Sequence, residues 1–144
     1  MILNRFINGK IIGIVLGVVV ATGITLVNVK SYVGKQNAEQ LLDNMYSFNK
    51  IEDLKDRQKS IKKLVTEEAY EFVSLNNMEH SLQAYLKMKG NSSRVKIDTV
   101  TDDYIIYELE CKSITPGRTF MLMYDTNLFG KLNSIREAEV VDFY

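Results

Sequence analysis

The chain has 144 residues, 46% of them hydrophobic and 25% charged, with 18 basic side chains against 18 acidic ones. That is one domain's worth of chain, and a balanced charge argues against a nucleic-acid binder working by counterion release, which needs a basic surface. The average hides a split. Residues 11–29 carry no charge, and Arg5, Lys10 and Lys30 are the only charged side chains before residue 31. Residues 31–144 therefore hold 15 basic and 18 acidic groups, a net charge of −3, and make up a mildly acidic domain long enough to bury a core.

The uncharged block, read as a helix rising about 1.5 Å per residue, covers roughly 28 Å, close to a hydrocarbon core of about 30 Å. Residues 11–29 are thus expected to be a single transmembrane helix, and residues 1–10 a short cytoplasmic tail. A cleavable signal peptide competes, since Ala21 and Gly23 make a small-x-small site, but Ile24, Leu26 and Val27 keep the segment apolar beyond it. The only cysteine, Cys111, is too far along the chain for lipoprotein attachment. Arg5 and Lys10 face Lys30 and Lys35 across the block, so the positive-inside count is nearly even, and the amino terminus tips it towards a cytoplasmic N-terminus. The rest is then extracytoplasmic, at the cell membrane. Gly9, Gly13, Gly17, Ala21 and Thr25 recur every four residues, a small-residue stripe of the kind that lets two helices approach closely, so helix association is expected along it.

Between residues 31 and 89 there is no proline and a single glycine, Gly34, while Ala38, Leu41, Leu42, Met45, Phe48, Ile51, Leu54, Ile61, Leu64 and Val65 follow helical spacing. The spacing predicts a juxtamembrane helix over 30–50 that continues the membrane helix up to about Asn49 and breaks at Asn49-Lys50, and a charged amphipathic helix over 51–65. Thr66-Glu67-Glu68 reads as an N-cap with acidic first-turn residues, opening a short helix through Val73. A last helix over 78–88 ends in Gly90-Asn91-Ser92-Ser93.

After Ser93 the period becomes two. Val95, Ile97 and Thr99 share a face, residues 104–111 form a second strand, and Thr101-Asp102-Asp103 is the turn between them. Thr115-Pro116-Gly117-Arg118 marks the next turn before a strand over 119–125. A final turn around 127–130 leads to a fourth strand over 132–144. Helices followed by consecutive strands make an α+β fold, with residues 51–144 as helices packed on a four-stranded antiparallel sheet.

Chemistry is sparse. Glu79-His80-Ser81 holds the only histidine, but sequential neighbours on a helix do not face one another, so it is no triad. One His and one Cys cannot make a zinc set, the carboxylates show no calcium-loop spacing, and no phosphate-binding loop is present. Cys111 alternates with Ile105, Tyr107 and Leu109 and reads as a buried apolar residue. Catalytic residues, a cofactor and a metal are therefore not expected. The basic residues Lys55, Arg57, Lys59, Lys62 and Lys63 follow Glu52, Asp53 and Asp56, so pairing along a solvated helix face accounts for them. Tyr104, Tyr107, Phe120, Met121, Met123 and Tyr124 suit a sheet core, a ligand pocket or a partner surface.

The anchor over 11–29, the helical segment from Asp56-Arg57-Gln58 through Thr66-Glu67-Glu68-Ala69-Tyr70, and the strands ending Ile135-Arg136-Glu137-Ala138-Glu139-Val140-Val141-Asp142-Phe143-Tyr144 together resemble the single-pass assembly subunits of Gram-positive conjugative elements. These are relatives of the bitopic scaffold component of type IV secretion machines. The resemblance implies a cone-like, nuclear-transport-factor-2-like extracytoplasmic domain and a structural role in a secretion or conjugative DNA-transfer apparatus. Its implied partners are membrane lipid, further copies of the chain and other channel proteins, without direct sequence-specific nucleic-acid binding. It supplies no catalytic residues. A pilin-like filament subunit shares the outline of apolar helix and four strands, but the glutamate expected five residues after a Gly cleavage site is Ile14 after Gly9. An anchored small-ligand binder using a concave sheet face stands third.

Overall fold

The computed structural model describes residues 2–49, 53–74, 93–111 and 114–140. Without a proline before residue 116, nothing in the amino-terminal third interrupts a helix, and α1 spans Ile2–Tyr46, 45 residues. It runs unbroken through the predicted boundaries at residues 10 and 30. Two short helices follow, α2 (Asp53–Leu64) and α3 (Glu67–Val73), then four strands: β1 (Ser93–Val100), β2 (Tyr104–Cys111), β3 (Ile114–Thr126) and β4 (Leu132–Glu139). The strands form one antiparallel meander in the order β1-β2-β3-β4. The fold is therefore α+β with a long apolar N-terminal helix. The predicted helix over 78–88, with His80, and strand residues 141–144 lie outside the described residues.

α1 changes character along its length. From Val18 to Val29 its large apolar side chains are exposed on every side, for instance Leu26 at 69% and Val27 at 66%. From Gly34 onward one face is buried, at Ala38, Leu41, Leu42, Met45 and Tyr46, the three- and four-residue spacing of a helix lying on a core. That face touches all four strands. The core it closes contains Ile61, Leu64 and Val65 from α2 and its end, Ala69 and Val73 from α3, and Ile105, Tyr107, Leu109, Leu122, Tyr124, Leu132 and Ile135 from the sheet.

The helix ends earlier than the predicted break at Asn49-Lys50, because two competing interactions take over its last turn. Phe48 exchanges a pair of backbone hydrogen bonds with Ser93, 3.0 Å each way, which turns the chain into a bridge with β1. The Arg57 guanidinium donates to the carbonyl of Ser47 and, at 3.0 Å, to that of Asp43, which also accepts the Ser47 amide at 3.0 Å, so the side chain caps the end of the helix. Among the described residues, the hydrogen bonds of Arg57 serve the end of α1. Lys62 sits 5.5 Å from the Tyr70 ring centroid. At the other end of α2, Val65 leaves the helix to make a parallel bridge with Leu132, and the Thr66 side chain accepts from the Ala69 amide as the N-cap of α3, as predicted.

Two strand expectations are corrected. Thr99 does not share a face with Val95 and Ile97: a bulge at Asp98 shifts the register, so Val100 opposes Ile105 on the core side and Thr99 opposes Ile106 on the outer side. Nor does Pro116 lie in a turn before the third strand. β3 runs through it, and the register shift between Leu109 and Cys111 places the proline in an irregular stretch where a missing N–H removes no regular ladder bond.

Candidate functional site

The predicted helix-association residues Gly9, Gly13, Gly17, Ala21 and Thr25 all lie within α1. Ala21 and Thr25 are exposed, and a methyl group built on Gly17 would meet nothing within 4 Å. The Thr25 hydroxyl donates to the Ala21 carbonyl at 2.9 Å and that of Thr22 to the Val18 carbonyl at 2.7 Å. Both hydroxyls are satisfied inside the helix, so neither needs an outside partner. A four-residue step rotates about 40° around a helix of 3.6 residues per turn, so helices pairing along this stripe must cross and not run parallel. Among the described residues this is the one helix long and apolar enough to cross a membrane.

One turn beyond the apolar stretch, two hairpins close on α1. The β1–β2 turn is built by Thr101, whose side chain bonds the Tyr104 amide and carbonyl at 3.0 Å. It brings Asp102 to α1, where Ser31 donates to its carboxylate and Lys35 pairs with it at 2.9 Å. The serine hydrogen bond first, then the lysine, hold the Asp102 carboxyl below the usual carboxylate range. Tyr124 secures the same turn from β3, donating to the Thr101 carbonyl at 2.6 Å; burial, then the charges of Asp102, Asp103 and Glu39, push its hydroxyl up to about 12.

The β3–β4 turn is folded by Asn127, whose side-chain oxygen accepts from the Phe129 amide (2.9 Å) and the Lys131 amide (3.1 Å). Gly130 completes it with φ +76, a left-handed conformation that favours glycine. Asn37 donates to the Gly130 carbonyl at 2.9 Å, and a methyl group on Gly130 would lie 2.6 Å from Val33 Cγ1. Gly34 is equally tight, its missing methyl falling 2.8 Å from Thr126 Cγ2. Glycine on each side of the joint is what permits the approach.

At the far end of the core face, Tyr46 donates to both oxygens of the Glu137 carboxylate (2.9 and 2.8 Å) and Tyr107 donates to the same group. The Tyr46, Tyr107 and Phe120 rings stack in series, with centroids 6.0 and 5.8 Å apart. Burial first, then electrostatic interactions, raise both hydroxyls well above their ordinary value: Glu137 for Tyr46, and Tyr46 followed by Glu137 for Tyr107. Both tyrosine hydroxyls therefore keep their protons near neutrality, and their hydrogen bonds to Glu137 tie β4 to α1 and β2. The strand alternation Ile135-Glu137-Glu139 was the available signal that this carboxylate shares the core side.

Of the aromatic and methionine set, Tyr107 and Tyr124 are buried, Phe120 packs at the core edge, and Met123 faces outward. The core side of the sheet is filled by these residues with Ile105, Leu109 and Leu122. A cavity of 180 Å³ is lined by Lys96, Asp98, Ile106, Glu108 and Thr119, with Tyr107 also contributing. Among the described residues no group of three His, Cys, Asp or Glu side chains is placed to hold a metal. The chain matches no protein-family model, no curated protein and no solved structure.

Proposed function

We propose that this protein is a membrane-anchored assembly subunit, of the kind used in secretion or conjugative DNA-transfer machines, which works by self-association and by docking to other channel subunits. The observation that carries the reading is the continuity of α1: one helix supplies both the exposed apolar stretch and the central element of the domain core. A catalytic domain gains nothing from so fixed a mounting, whereas a structural subunit must present its surfaces at a set height and angle. The orientation that goes with it has the N-terminus cytoplasmic and the sheet extracytoplasmic. A curved, cone-like sheet of the nuclear-transport-factor-2 kind is supported by the register shift in each of the three strand pairs, since bulges bend and twist a sheet. Chemical crosslinking of the full chain in native membranes, with mass spectrometry of the products, tests the proposal. Homo-oligomers and adducts with other membrane proteins are expected, and monomer alone overturns it.

The same division of α1 favours a second reading, a pilin-like filament subunit in which the exposed half packs on other copies instead of lipid. Ile14 in place of the glutamate counts against it. A mature N-terminus at Lys10, found by mass spectrometry, would establish processing after Gly9 and reverse the order of the two.

A further inference from the structure

We infer that the β3–β4 turn is a second membrane contact, its Leu128-Phe129 tip seated in the headgroup-to-acyl boundary of the bilayer that α1 crosses. The inference rests on reading α1 as the membrane anchor. Single exposed apolar residues are ordinary on a protein surface, but Leu128 and Phe129 are adjacent and 83% and 82% exposed, more than any other large apolar side chain described. They do nothing for the turn's own fold, which the Asn127 side chain and Gly130 hold through the backbone.

Their height fixes the occupant. β3 descends from Ile114, which opposes Cys111 at the end that pairs with Ser93 and Phe48, to Thr126, which abuts Gly34. It therefore runs back along α1 towards the apolar stretch. The turn beyond Thr126 rests on Val33, four residues past Val29, the last of the uncharged block. At about 1.5 Å per residue that is on the order of 6 Å along the helix axis, within the interfacial zone in which amphipathic elements seat their apolar groups. The neighbours fit the same level: on α1 Lys30 directly follows the uncharged block and Tyr32 is 64% exposed, and Lys131 follows the tip in the turn, the aromatic and cationic groups that mark a membrane boundary. The β1–β2 turn at this end is acidic, but Asp102 is already paired with Lys35, so the apolar corner is the one beneath β3 and β4.

The chain contains no tryptophan, so a single Trp reports its own position. The full chain carrying Phe129→Trp is reconstituted in phosphatidylcholine vesicles with and without lipid brominated high on the acyl chains, beside Leu26→Trp and Thr119→Trp. A tip about 5–10 Å into the boundary gives blue-shifted emission and about a twofold loss of intensity with brominated lipid, while Thr119→Trp stays unquenched. Leu26→Trp is quenched by bromines placed deeper. Quenching at Leu26→Trp without quenching at Phe129→Trp overturns the inference and leaves the anchor standing. Absence of quenching at both overturns the anchor and the inference together. A blue shift at Phe129→Trp that brominated lipid does not quench, and that fades as protein is diluted into lipid, places the tip against another copy of the chain and also overturns it.

Discussion

Replacing Gly130 by alanine tests the joint between the β3–β4 hairpin and α1 most directly. The backbone there has φ +76, and an L-residue in that region costs about 1–2 kcal/mol relative to glycine. The new methyl would also stand 2.6 Å from Val33 Cγ1, 2.8 Å from Val33 Cβ and 3.2 Å from the Gly34 amide nitrogen. Forcing a methyl into so closed a space costs typically about 1–3 kcal/mol. The two terms together predict a loss of about 2–5 kcal/mol, and at about 4 °C per kcal/mol for a domain of this size the melting temperature falls by roughly 8 °C or more. The assay is thermal unfolding of the full chain in detergent micelles, followed by far-ultraviolet circular dichroism. The terms separate by design. Gly130→Asn keeps the steric contact while easing the backbone cost, because asparagine tolerates the left-handed region. Gly130→Ala combined with Val33→Ala relieves the contact while keeping the backbone cost, and the double-mutant cycle should show coupling of at least about 1 kcal/mol. A Gly130→Ala protein that melts within a degree of the parent, or a cycle that is strictly additive, would refute the seating of this turn on α1.

Glu137→Ala removes the carboxylate that accepts from Tyr46 and Tyr107; the two hydroxyls still bond one another, which leaves one buried donor unsatisfied at about 1–3 kcal/mol, so the melting temperature should drop while that of Glu137→Gln drops less. An unchanged Glu137→Ala melt would mean that water already serves those hydroxyls. In an alkaline spectrophotometric titration of the eight tyrosines, Tyr46 and Tyr107 should ionise last. Their folded pKa values lie above the unfolded value near 10, so their contribution is complete below about pH 10 and is lost as pH rises through the folded values. A late phase that coincides with unfolding is expected, and a single phase centred near pH 10 contradicts the buried cluster. Ser31→Ala should raise the Asp102 pKa towards the ordinary carboxylate range, measured by NMR titration of its side chain, because the serine hydrogen bond is the largest cause of its depression. Asp102 contributes above its unfolded pKa near 3.9, and the contribution goes as pH falls through the lower folded value.

Much of the fold was legible because its signals are periodic and local. The three- and four-residue spacing of Ala38, Leu41, Leu42 and Met45 marked the core face of α1, and Thr66-Glu67-Glu68 marked the start of α3. The turns at Thr101 and Asn127 announced themselves through side chains that bond their own backbone. What failed to show was whatever depends on a distant partner. Nothing near residue 46 says that Phe48 will pair with Ser93, and nothing in the run of α2 charges says that Arg57 will turn away to the carbonyls of Asp43 and Ser47. The bulge at Asp98 moved Thr99 to the other face for the same reason: a register is agreed between two strands, and only one of them is visible in a local window. Pro116 misled because proline is a turn former by propensity, yet an irregular strand position accommodates it equally well.

The joint explains a choice that local propensity would not make. Glycine inside a helix costs about 1 kcal/mol relative to alanine, and Gly34 sits well inside α1, away from any cap. Alanine there would strengthen the helix but push against Thr126, while glycine lets the end of β3 lie against the helix backbone. Within the same two turns of α1, Ser31 and Lys35 hold the β1–β2 hairpin and Asn37 holds the β3–β4 hairpin. Both hairpins are therefore fastened at the level where the exposed apolar stretch ends. Fastening on two sides opposes a hinge at that point and couples any tilt of the apolar stretch to the sheet. In the proposed role, that stiffness lets association of the small-residue stripes on neighbouring anchors set the relative pose of their domains, with the bilayer as the reference plane.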